Sequence, residues 1–485
     1  MQAAGLAFAL ALPILIGVAL LAACVRDASR TREAGLLPWI VGAGYVVGAF
    51  VLALLMRGIA LTGTRFDLVS IGVPGLAIAG ALSWLAWRRC AAGWRDAMAD
   101  AGRALGAADL ARSARIAWFA LLAWIALRAA LLLVEVWTRP LYPWDAWSAW
   151  ATKAKTFFAL GTIVPFVDAA GWAAASAPVW FDAAPGQPAT LPLLQAWIAV
   201  AMGAWDDARI GLPWWLFFVS ILLVVYGELR RRGCAPLASL VGAWLAGSLP
   251  LLGTQVALAG YADLPLAAAF TLGSLAGIRA IGTRAPVDVA AAAVALAAVA
   301  LTKSSGWAWL VVALPGFAAA ALGPAAYRRI ALALTVGAIG AIGIAARFPK
   351  AALGPVSFAY EPVWETLAVD SVLLANWHLL VVGIVGTIAF SWRRLLARDV
   401  APLTLVVASG AIWIAMLAAF PGVRYWGADG LGLNRAILVL APFAVVWMVV
   451  AMRDATEPTP ESTPGSTPGP ASAPEAVAGD APSSA

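Results

Sequence analysis

Long apolar runs recur along the whole chain, and they constrain its fold more than any other feature. About thirteen of these runs reach the length of roughly 18 residues or more that a membrane-spanning helix needs. Of the 485 residues, 63% are hydrophobic and 12% are charged, which lies outside the usual composition of soluble globular proteins. The sequence therefore predicts an all-α, polytopic membrane protein.

The predicted spans divide the chain into three parts. Residues 1–115 hold three spans and a cytoplasmic loop, residues 116–452 form the transmembrane core, and residues 453–485 are predicted to be a disordered cytoplasmic tail. The spans are predicted at about residues 3–25, 35–57, 67–88, 116–137, 210–229, 234–253, 262–281, 286–302, 305–323, 329–346, 372–391, 400–420 and 434–452.

Basic residues in alternate loops predict the orientation of these spans. The five basic loops contain Arg88, Arg89, Arg95, Arg103, Arg112 and Arg115; Arg230, Arg231 and Arg232; Arg279 and Arg284; Arg328 and Arg329; and Arg393, Arg394 and Arg398. Because positive loops stay on the cytoplasmic side, the N-terminus is predicted outside and the C-terminus inside. The large outer loops are then 138–209 and 347–371, followed by the short 421–433. The arginines of the predicted cytoplasmic loops account for the net charge of +7, so no nucleic-acid partner is predicted.

A polar, tryptophan-rich stretch at residues 142–155 follows the fourth predicted span. Projected as an α-helix at about 100° per residue, it has one stripe of Asp145, Ser148, Thr152 and Lys155 and an opposite face with Trp144 and Trp147, with Trp150 at the margin. Such a helix is expected to lie flat at the bilayer surface, with its indoles at headgroup depth and its polar stripe facing water. Alternatively, Asp145 is a helix N-cap and the tryptophans are interfacial belt residues, and both interpretations can hold together.

Two further polar sites lie at the predicted outer ends of spans. Asp263 and the nearby Tyr261 interrupt an apolar run, so a functional role for the carboxylate is the default, and an interfacial cap ahead of Pro265 is the alternative. Lys303 is followed by two serines and a new helix start, a pattern suited to a phosphate. The alternative for Lys303 is a lysine that snorkels to the bilayer surface.

Arg435 begins the last predicted span on the outer side, against the positive-inside rule. A bound anion explains it better than topology does, and a rim ion pair with Asp429 is the alternative.

Arg128 lies in mid-span with Glu135 two turns later. The sequence is consistent both with a functional charge at Arg128 and with a structural partner on a neighbouring helix. His378 is the single histidine, and no cysteine cluster is present, so no conventional multi-histidine metal site is predicted.

These motifs, in this order, resemble the GT-C superfamily of membrane glycosyltransferases. The resemblance rests on the Trp-Asp-Ala-Trp-Ser-Ala-Trp-Ala-Thr-Lys-Ala-Lys segment from Trp144 to Lys155, on Leu191-Pro192-Leu193-Leu194-Gln195, Tyr261-Ala262-Asp263, Lys303-Ser304-Ser305-Gly306 and Asn434-Arg435. It covers residues 116–452 and is strongest to the uncharacterised bacterial branch akin to protein O-mannosyltransferases and lipid A aminoarabinose transferases.

The resemblance implies transfer of a sugar, with inversion, from a polyprenyl-phosphate donor to an extracytoplasmic glycan, lipid or protein acceptor. It implies Asp145 as general base and Asp263 as a second acid near the donor. Lys303 and Arg435, with Lys153 and Lys155, would meet the donor phosphate. A divalent metal held by Asp145 and Asp263 is compatible with this chemistry but is not indicated by the sequence.

The residues themselves meet the minimum needs of this reaction, because one carboxylate can deprotonate the acceptor and cations can stabilise the departing phosphate. The protein is accordingly expected in the inner (plasma) membrane, with its site facing the periplasm or exterior. The alternative function is a lipid-sugar flippase or another transporter, a class that places charges at the bilayer midplane and uses broken helices. A non-catalytic membrane scaffold is a third interpretation.

Overall fold

The structure is a computed structural model that describes residues 2–99, 110–347, 352–353, 356–357, 360–374, 376–420 and 431–456. Within these residues the chain is built almost entirely of helices. The predicted tail from residue 457 onward and most of the 421–433 loop, with Arg424, Tyr425 and Asp429, lie outside the described residues, as does Lys350.

The first half of the chain contains α1 (Gln2–Ala23), α2 (Leu36–Leu61), α3 (Leu68–Ala99) and α4 (Arg112–Thr138). The loop that follows, which we call the outer loop after its predicted side, contains a π-helical turn (Ala146–Ala151), α5 (Thr152–Leu160), β1 (Phe166–Val167), α6 (Ala169–Ala174), β2 (Trp180–Phe181) and α7 (Thr190–Met202). The two short strands pair in parallel, with Phe166 opposite Trp180 and Val167 opposite Phe181.

The second half begins after a short 3-10 helix (Arg209–Gly211) with α8 (Leu212–Arg231), α9 (Pro236–Ser248), α10 (Pro250–Ala257), α11 (Asp263–Thr283), α12 (Pro286–Thr302), α13 (Gly306–Leu322) and α14 (Pro324–Arg347). It continues with an antiparallel pair of short strands, β3 (Ala352–Leu353) and β4 (Val356–Ser357), and with α15 (Trp364–Ala368) and a second π-helical turn (Val369–Leu373). The last helices are α16 (Leu380–Ser391), α17 (Ala401–Ala419) and α18 (Leu431–Thr456).

The all-α, polytopic prediction agrees with these helices, but the count of thirteen spans is not confirmed. Among the described residues, nine helices are long and apolar enough to cross a membrane, or ten if α9 and α10, which meet at a bend of 59°, form one broken span. The three remaining predicted spans correspond to α12, α13 and α16, which have 17, 17 and 12 residues. The first two helices match their predicted bounds within one residue, and only α16 is clearly shorter than its predicted span, 372–391.

Burial separates a central set of helices from peripheral ones. The apolar stretches of α11 and α18 are each 83% buried, and those of α2 and α8 are each 78% buried. Those of α4 and α14 are only 6% buried, so these two helices lie at the periphery of the bundle. Because α2 packs against α8, the predicted N-terminal addition is built into the bundle rather than attached to its side.

Small residues allow α1 and α2 to approach closely, as expected for glycines inside membrane spans. A Cβ atom on Gly17 would overlap the carbonyl oxygen of Gly44, and one on Gly48 would overlap the carbonyl oxygen of Pro13. Backbone therefore packs directly against backbone at this crossing.

A buried ion-pair network joins four helices at one end of the bundle. Arg231 at the end of α8 lies 2.9 Å from Asp288 near the start of α12, and its Nε donates to Glu33 at 3.1 Å, just before α2. Arg279 near the end of α11 also donates to Glu33, at 2.8 Å. Arg279 comes 16 residues after Asp263, the first residue of α11, so Asp263 lies about 24 Å along the helix from this network at 1.5 Å per residue, near the opposite end of the bundle.

Candidate functional site

Four polar residues that are far apart in sequence converge at the other end of the bundle, around the start of α11. Asp145 follows α4, Asp263 is the first residue of α11, Lys303 connects α12 to α13, and Arg435 lies near the start of α18. Asp263, Lys303 and Arg435 each lie where an apolar helix begins or ends, and Asp145 lies in the loop seven residues after the end of α4. All four were predicted as site residues from the sequence, and the structure brings them together.

The four side chains form a chain of alternating charge, Asp145–Arg435–Asp263–Lys303. Arg435 Nη1 donates to Asp145 Oδ2 at 2.8 Å, and Arg435 Nε lies 3.8 Å from Asp263 Oδ2. Lys303 Nζ donates to Asp263 Oδ1 at 2.5 Å. Asp263 and Lys303 are buried, with side chains 4% and 6% exposed, whereas 39% of the Asp145 side chain is exposed. We call these four residues the charge cluster.

The geometry of the charge cluster decides between the interpretations left open by the sequence. Neither Asp145 nor Asp263 makes a capping hydrogen bond to its helix, so the cap interpretation does not account for either carboxylate. Lys303 is buried against Asp263 and does not snorkel. Asp429 lies outside the described residues, so its ion pair with Arg435 stays a prediction.

Tyr261 forms the floor of the charge cluster. The Arg435 guanidinium lies over its ring, 4.7 Å from the ring centre, in a cation–π contact. Burial raises the pKa of Tyr261, and the positive charge of Arg435 opposes that rise. Trp214 Nε1 donates to the Tyr261 carbonyl oxygen at 2.6 Å, which fixes the connection between α10 and α11. The Tyr261 phenol is thus held directly beneath the guanidinium.

Gly260 permits the close approach of two segments that carry the carboxylates. Its φ of 114° belongs to the region that favours glycine, and a Cβ atom there would overlap the side chain of Ala146. The connection that leads to Asp263 can therefore pack directly against the segment that carries Asp145.

The tryptophan-rich segment is not a regular α-helix, so its predicted single polar stripe is wrong. The π-helical turn at Ala146–Ala151 widens the helix directly after Asp145. As a result Ser148 is buried, whereas Lys155 is exposed and lies 5.8 Å from the ring centre of Trp205. Lys155, predicted to bind the donor phosphate, has no contact with the charge cluster among those that the described residues show.

The three tryptophans of this segment separate into two environments. Trp144 and Trp147 are exposed and pack edge to face, with ring centres 4.6 Å apart, as suits side chains at a bilayer surface. Trp150 is 3% exposed and belongs to the hydrophobic core. Its predicted interfacial position is therefore corrected, because the wider π-helical turn rotates it inward.

Lys153 lies in a separate buried site, although it was predicted to bind the donor phosphate. Its Nζ is 3.3 Å from Asp182 Oδ1 and donates to the carbonyl oxygens of Ala184, at 2.7 Å, and Gln187, at 3.3 Å. Burial lowers the pKa of Lys153 and raises the pKa of Asp182, and in each case the charge of the partner opposes the shift. Lys153 thus ties the outer loop together and does not reach the charge cluster.

The segment that Lys153 secures holds the turn carrying Lys303, a role that the sequence analysis missed. Gln187 Nε2 donates to Ser304 Oγ at 3.1 Å, and Ser304 N donates to Gln187 Oε1 at 3.1 Å. Thr190 Oγ1 donates to the Leu301 carbonyl oxygen at 2.5 Å. The one sequence feature that could have indicated this role is Asp182, an acidic residue among small residues in the outer loop.

Asn434 secures the start of α18 in a similar way. Its Oδ1 accepts a hydrogen bond from Trp377 Nε1 at 2.8 Å, and its Nδ2 donates to Asp370 Oδ2 at 3.0 Å. Asp370 is buried, and it comes from the second π-helical turn. The residue directly before Arg435 is thus held by two side chains of the stretch between α15 and α16.

Arg128 has a structural partner at the break between α9 and α10. Its Nε donates to the Gly247 carbonyl oxygen at 2.5 Å. In an unbroken helix that carbonyl would accept from Leu251 N, which instead donates to the Asn376 carbonyl oxygen at 3.1 Å. Arg128 also borders a cavity of about 550 Å³ between α4 and α10, and Glu135 at its far end pairs with Arg139.

The charge cluster does not fit a divalent metal. Asp263 is bound by Lys303, and Asp145 is bound by Arg435. In the part of the chain that the structure describes, no three His, Cys, Asp or Glu residues group closely enough to hold a metal ion. Two carboxylates already paired with cations are a weak ligand set for a divalent ion.

Arg435 and Lys303 lie on either side of the buried Asp263, and the partly exposed Asp145 lies beside Arg435, so an anionic group that approaches the exposed side of the charge cluster would meet Arg435 next to Asp145. The indoles of Trp144 and Trp147, close to Asp145 in sequence, are exposed. Comparison with known proteins adds no relative, since no protein-family model, no curated protein and no solved structure matches this chain.

Proposed function

We propose that this protein is an inverting membrane glycosyltransferase that passes a sugar from a polyprenyl-phosphate donor to an extracytoplasmic acceptor. The observation that carries the proposal is the charge cluster itself. Two cations and two carboxylates from four separate segments meet at one end of a membrane-helix bundle, and one carboxylate is partly exposed.

Each residue has a role that its position supports. Asp145 accepts the proton of the acceptor hydroxyl as that oxygen attacks the anomeric carbon from the face opposite the phosphate. The bond between the anomeric carbon and the phosphate oxygen breaks, and the phosphate leaves with the electron pair. Arg435 and Lys303 stabilise the negative charge that develops on it. A phosphate is already a good leaving group, so no second acid is needed to protonate it.

The proposed location is the inner (plasma) membrane, with the charge cluster facing the periplasm or exterior. Support comes from the position of the arginines: Arg231 and Arg279, which belong to predicted cytoplasmic loops, form the ion-pair network at the end opposite the charge cluster. A donor whose lipid tail stays in the bilayer would reach the charge cluster at the bilayer surface.

The test uses a strain that lacks the chromosomal gene, complemented with the wild type, with Asp145→Asn or with Asp207→Asn. Asp207 is an exposed outer-loop carboxylate, so its variant controls for loss of one charge. Mass spectrometry of envelope glycans and lipid-linked sugars should show a modification that the wild type and Asp207→Asn restore. Asp145→Asn should leave the unused donor, with equal protein in the membrane. Restoration by Asp145→Asn would refute the proposal.

A second candidate function is transport or flipping of a lipid-linked sugar, and the broken α9–α10 pair favours it. Transporters use broken helices and intramembrane charges, and here Arg128 binds the carbonyl freed at the break. Transport would depend on Arg128 more than on Asp145. If Arg128→Ala abolished the modification and Asp145→Asn restored it, transport would replace glycosyl transfer as the proposal.

A further inference from the structure

The two carboxylates of the charge cluster are held very differently. Asp263 is 4% exposed, lies 2.5 Å from Lys303 and comes from the first residue of the buried α11. Asp145 is 39% exposed and comes from the outer loop, where Arg435 Nη1 binds its Oδ2 at 2.8 Å. Asp145 can therefore leave its partner and regain water, whereas Asp263 would have to leave its partner inside the protein.

The charge balance within the cluster favours such a departure when an anion binds. Asp145, Asp263, Lys303 and Arg435 sum to zero formal charge. A bound phosphodiester adds one negative charge, so two cations would then face three anions at close range. A guanidinium binds phosphate oxygens in the same forked geometry that it uses for carboxylates, so the phosphate and Asp145 compete for the same donors of Arg435.

We propose that the phosphate of the lipid-linked sugar displaces Asp145 from Arg435, and that this exchange frees the Asp145 carboxylate for the acceptor. The inference rests on the proposed function, in which Arg435 and Lys303 bind the donor phosphate. Before the donor binds, Arg435 occupies Oδ2 of the base. After the exchange both oxygens of the carboxylate are available to the acceptor, so donor binding prepares the base for the acceptor. The exchange breaks no covalent bond and moves no proton.

Removal of the Asp145 carboxylate should therefore strengthen phosphate binding while it abolishes transfer. The full chain is purified into nanodiscs of phosphatidylcholine and titrated with undecaprenyl phosphate by isothermal calorimetry. Asp145→Asn and Asp145→Ala should each bind it roughly 2- to 5-fold more tightly than the wild type, the gain expected when a competing, partly exposed ion pair is removed. The control Asp207→Asn should match the wild type.

A second measurement uses the wild type alone and does not depend on how a variant folds. Carbodiimide labelling of carboxylates, located by peptide mass spectrometry, should increase at Asp145 when undecaprenyl phosphate is added. Labelling of the buried Asp263 should not increase, which provides an internal reference.

The outcomes separate this inference from the proposed function. If the wild type binds undecaprenyl phosphate but both Asp145 variants bind it equally or more weakly, the exchange is refuted and the phosphate site stands. Tighter binding by Asp145→Asn alone also refutes the exchange, because the gain would then come from the amide. If the wild type does not bind the lipid phosphate, the proposed function fails, and the exchange fails with it.

Discussion

The buried pair of Lys153 and Asp182 offers the sharpest test of how the outer loop is held together. Asp182→Asn removes one charge and keeps the shape of the side chain, including an oxygen that can accept the 2.7 Å hydrogen bond from Ala184 N. The side chains of the pair are 3% and 0% exposed, so the ammonium group of Lys153 is left buried without a counterion. Removal of one partner from a buried ion pair usually lowers the free energy of unfolding by about 3–5 kcal/mol.

The loss of stability in Asp182→Asn cannot exceed the cost of deprotonating Lys153, because the folded variant can release that proton instead of burying an unpaired charge. Moving a lysine from an ordinary pKa of about 10.4 to neutrality at pH 7.4 costs about 4 kcal/mol at 1.36 kcal/mol per pKa unit. Lys153 keeps its hydrogen bonds to the carbonyl oxygens of Ala184 and Gln187, which reduce the cost. We therefore expect a loss of about 3 kcal/mol in the free energy of unfolding, within that limit.

The same variant should show a pH dependence of known sign. Burial lowers the pKa of Lys153 in the folded protein, and loss of Asp182 lowers it further. Above that lowered pKa and below the ordinary lysine pKa, the unfolded chain binds more protons than the folded one. The stability of Asp182→Asn should therefore rise with pH in this window, by at most about 1.4 kcal/mol per pH unit, and relative to the wild type it should rise only until the pH reaches the pKa of Lys153 in the folded wild type.

The assay is reversible unfolding of the purified protein in detergent micelles, followed at several pH values. Asp207→Asn, at an exposed carboxylate, should change stability by no more than about 0.5 kcal/mol. The double variant Lys153→Met with Asp182→Leu should recover most of the loss, because burial opposes both charges. A loss below about 1 kcal/mol in Asp182→Asn, or a double variant worse than the single one, would refute the reasoning.

Three further predictions concern other contacts. Gly48→Ala places a methyl group on the carbonyl oxygen of Pro13 and should prevent stable accumulation in the membrane, as measured by quantitative immunoblotting; normal accumulation would contradict the predicted close packing. Gln187→Ala frees Ser304 and should raise the KM for the lipid donor roughly 5-fold, because two exposed hydrogen bonds are lost at about 0.5 kcal/mol each, with kcat nearly unchanged; an unchanged KM would contradict the role of Gln187. Arg128→Ala leaves a freed carbonyl in the bilayer and should lower thermal stability without abolishing transfer; complete loss of transfer in a folded variant would contradict a structural role.

The sequence was most informative where a charge interrupted an apolar run. Asp263, Lys303 and Arg435 each stand at the end of a predicted span, where a charge is costly unless it has a partner or faces water. The physical cost of burying these groups made them visible individually, and the structure shows that they are partners of one another.

The sequence was least informative where long-range packing decides the outcome. Nothing in the local pattern around Lys153 showed that Asp182 would bury with it, because that pair depends on how the outer loop folds back. The π-helical turn after Asp145 is likewise set by tertiary contacts, and it moves Trp150 from the predicted interface into the core. Short Ala-rich helices such as α12 have the composition of a span without its usual length, so composition alone could not give the number of spans.

The most direct test of glycosyl transfer is release of free polyprenyl phosphate from a polyprenyl-phosphate-linked sugar by the purified protein in nanodiscs. The donor is extracted from the lipid-linked sugars that accumulate in the strain lacking the gene, and an acceptor fraction from that strain is added. The wild type should release polyprenyl phosphate in step with sugar transfer, and Asp145→Asn should release none while still binding the lipid phosphate. Release by Asp145→Asn at the wild-type rate would contradict Asp145 as the base and, with it, the proposed mechanism.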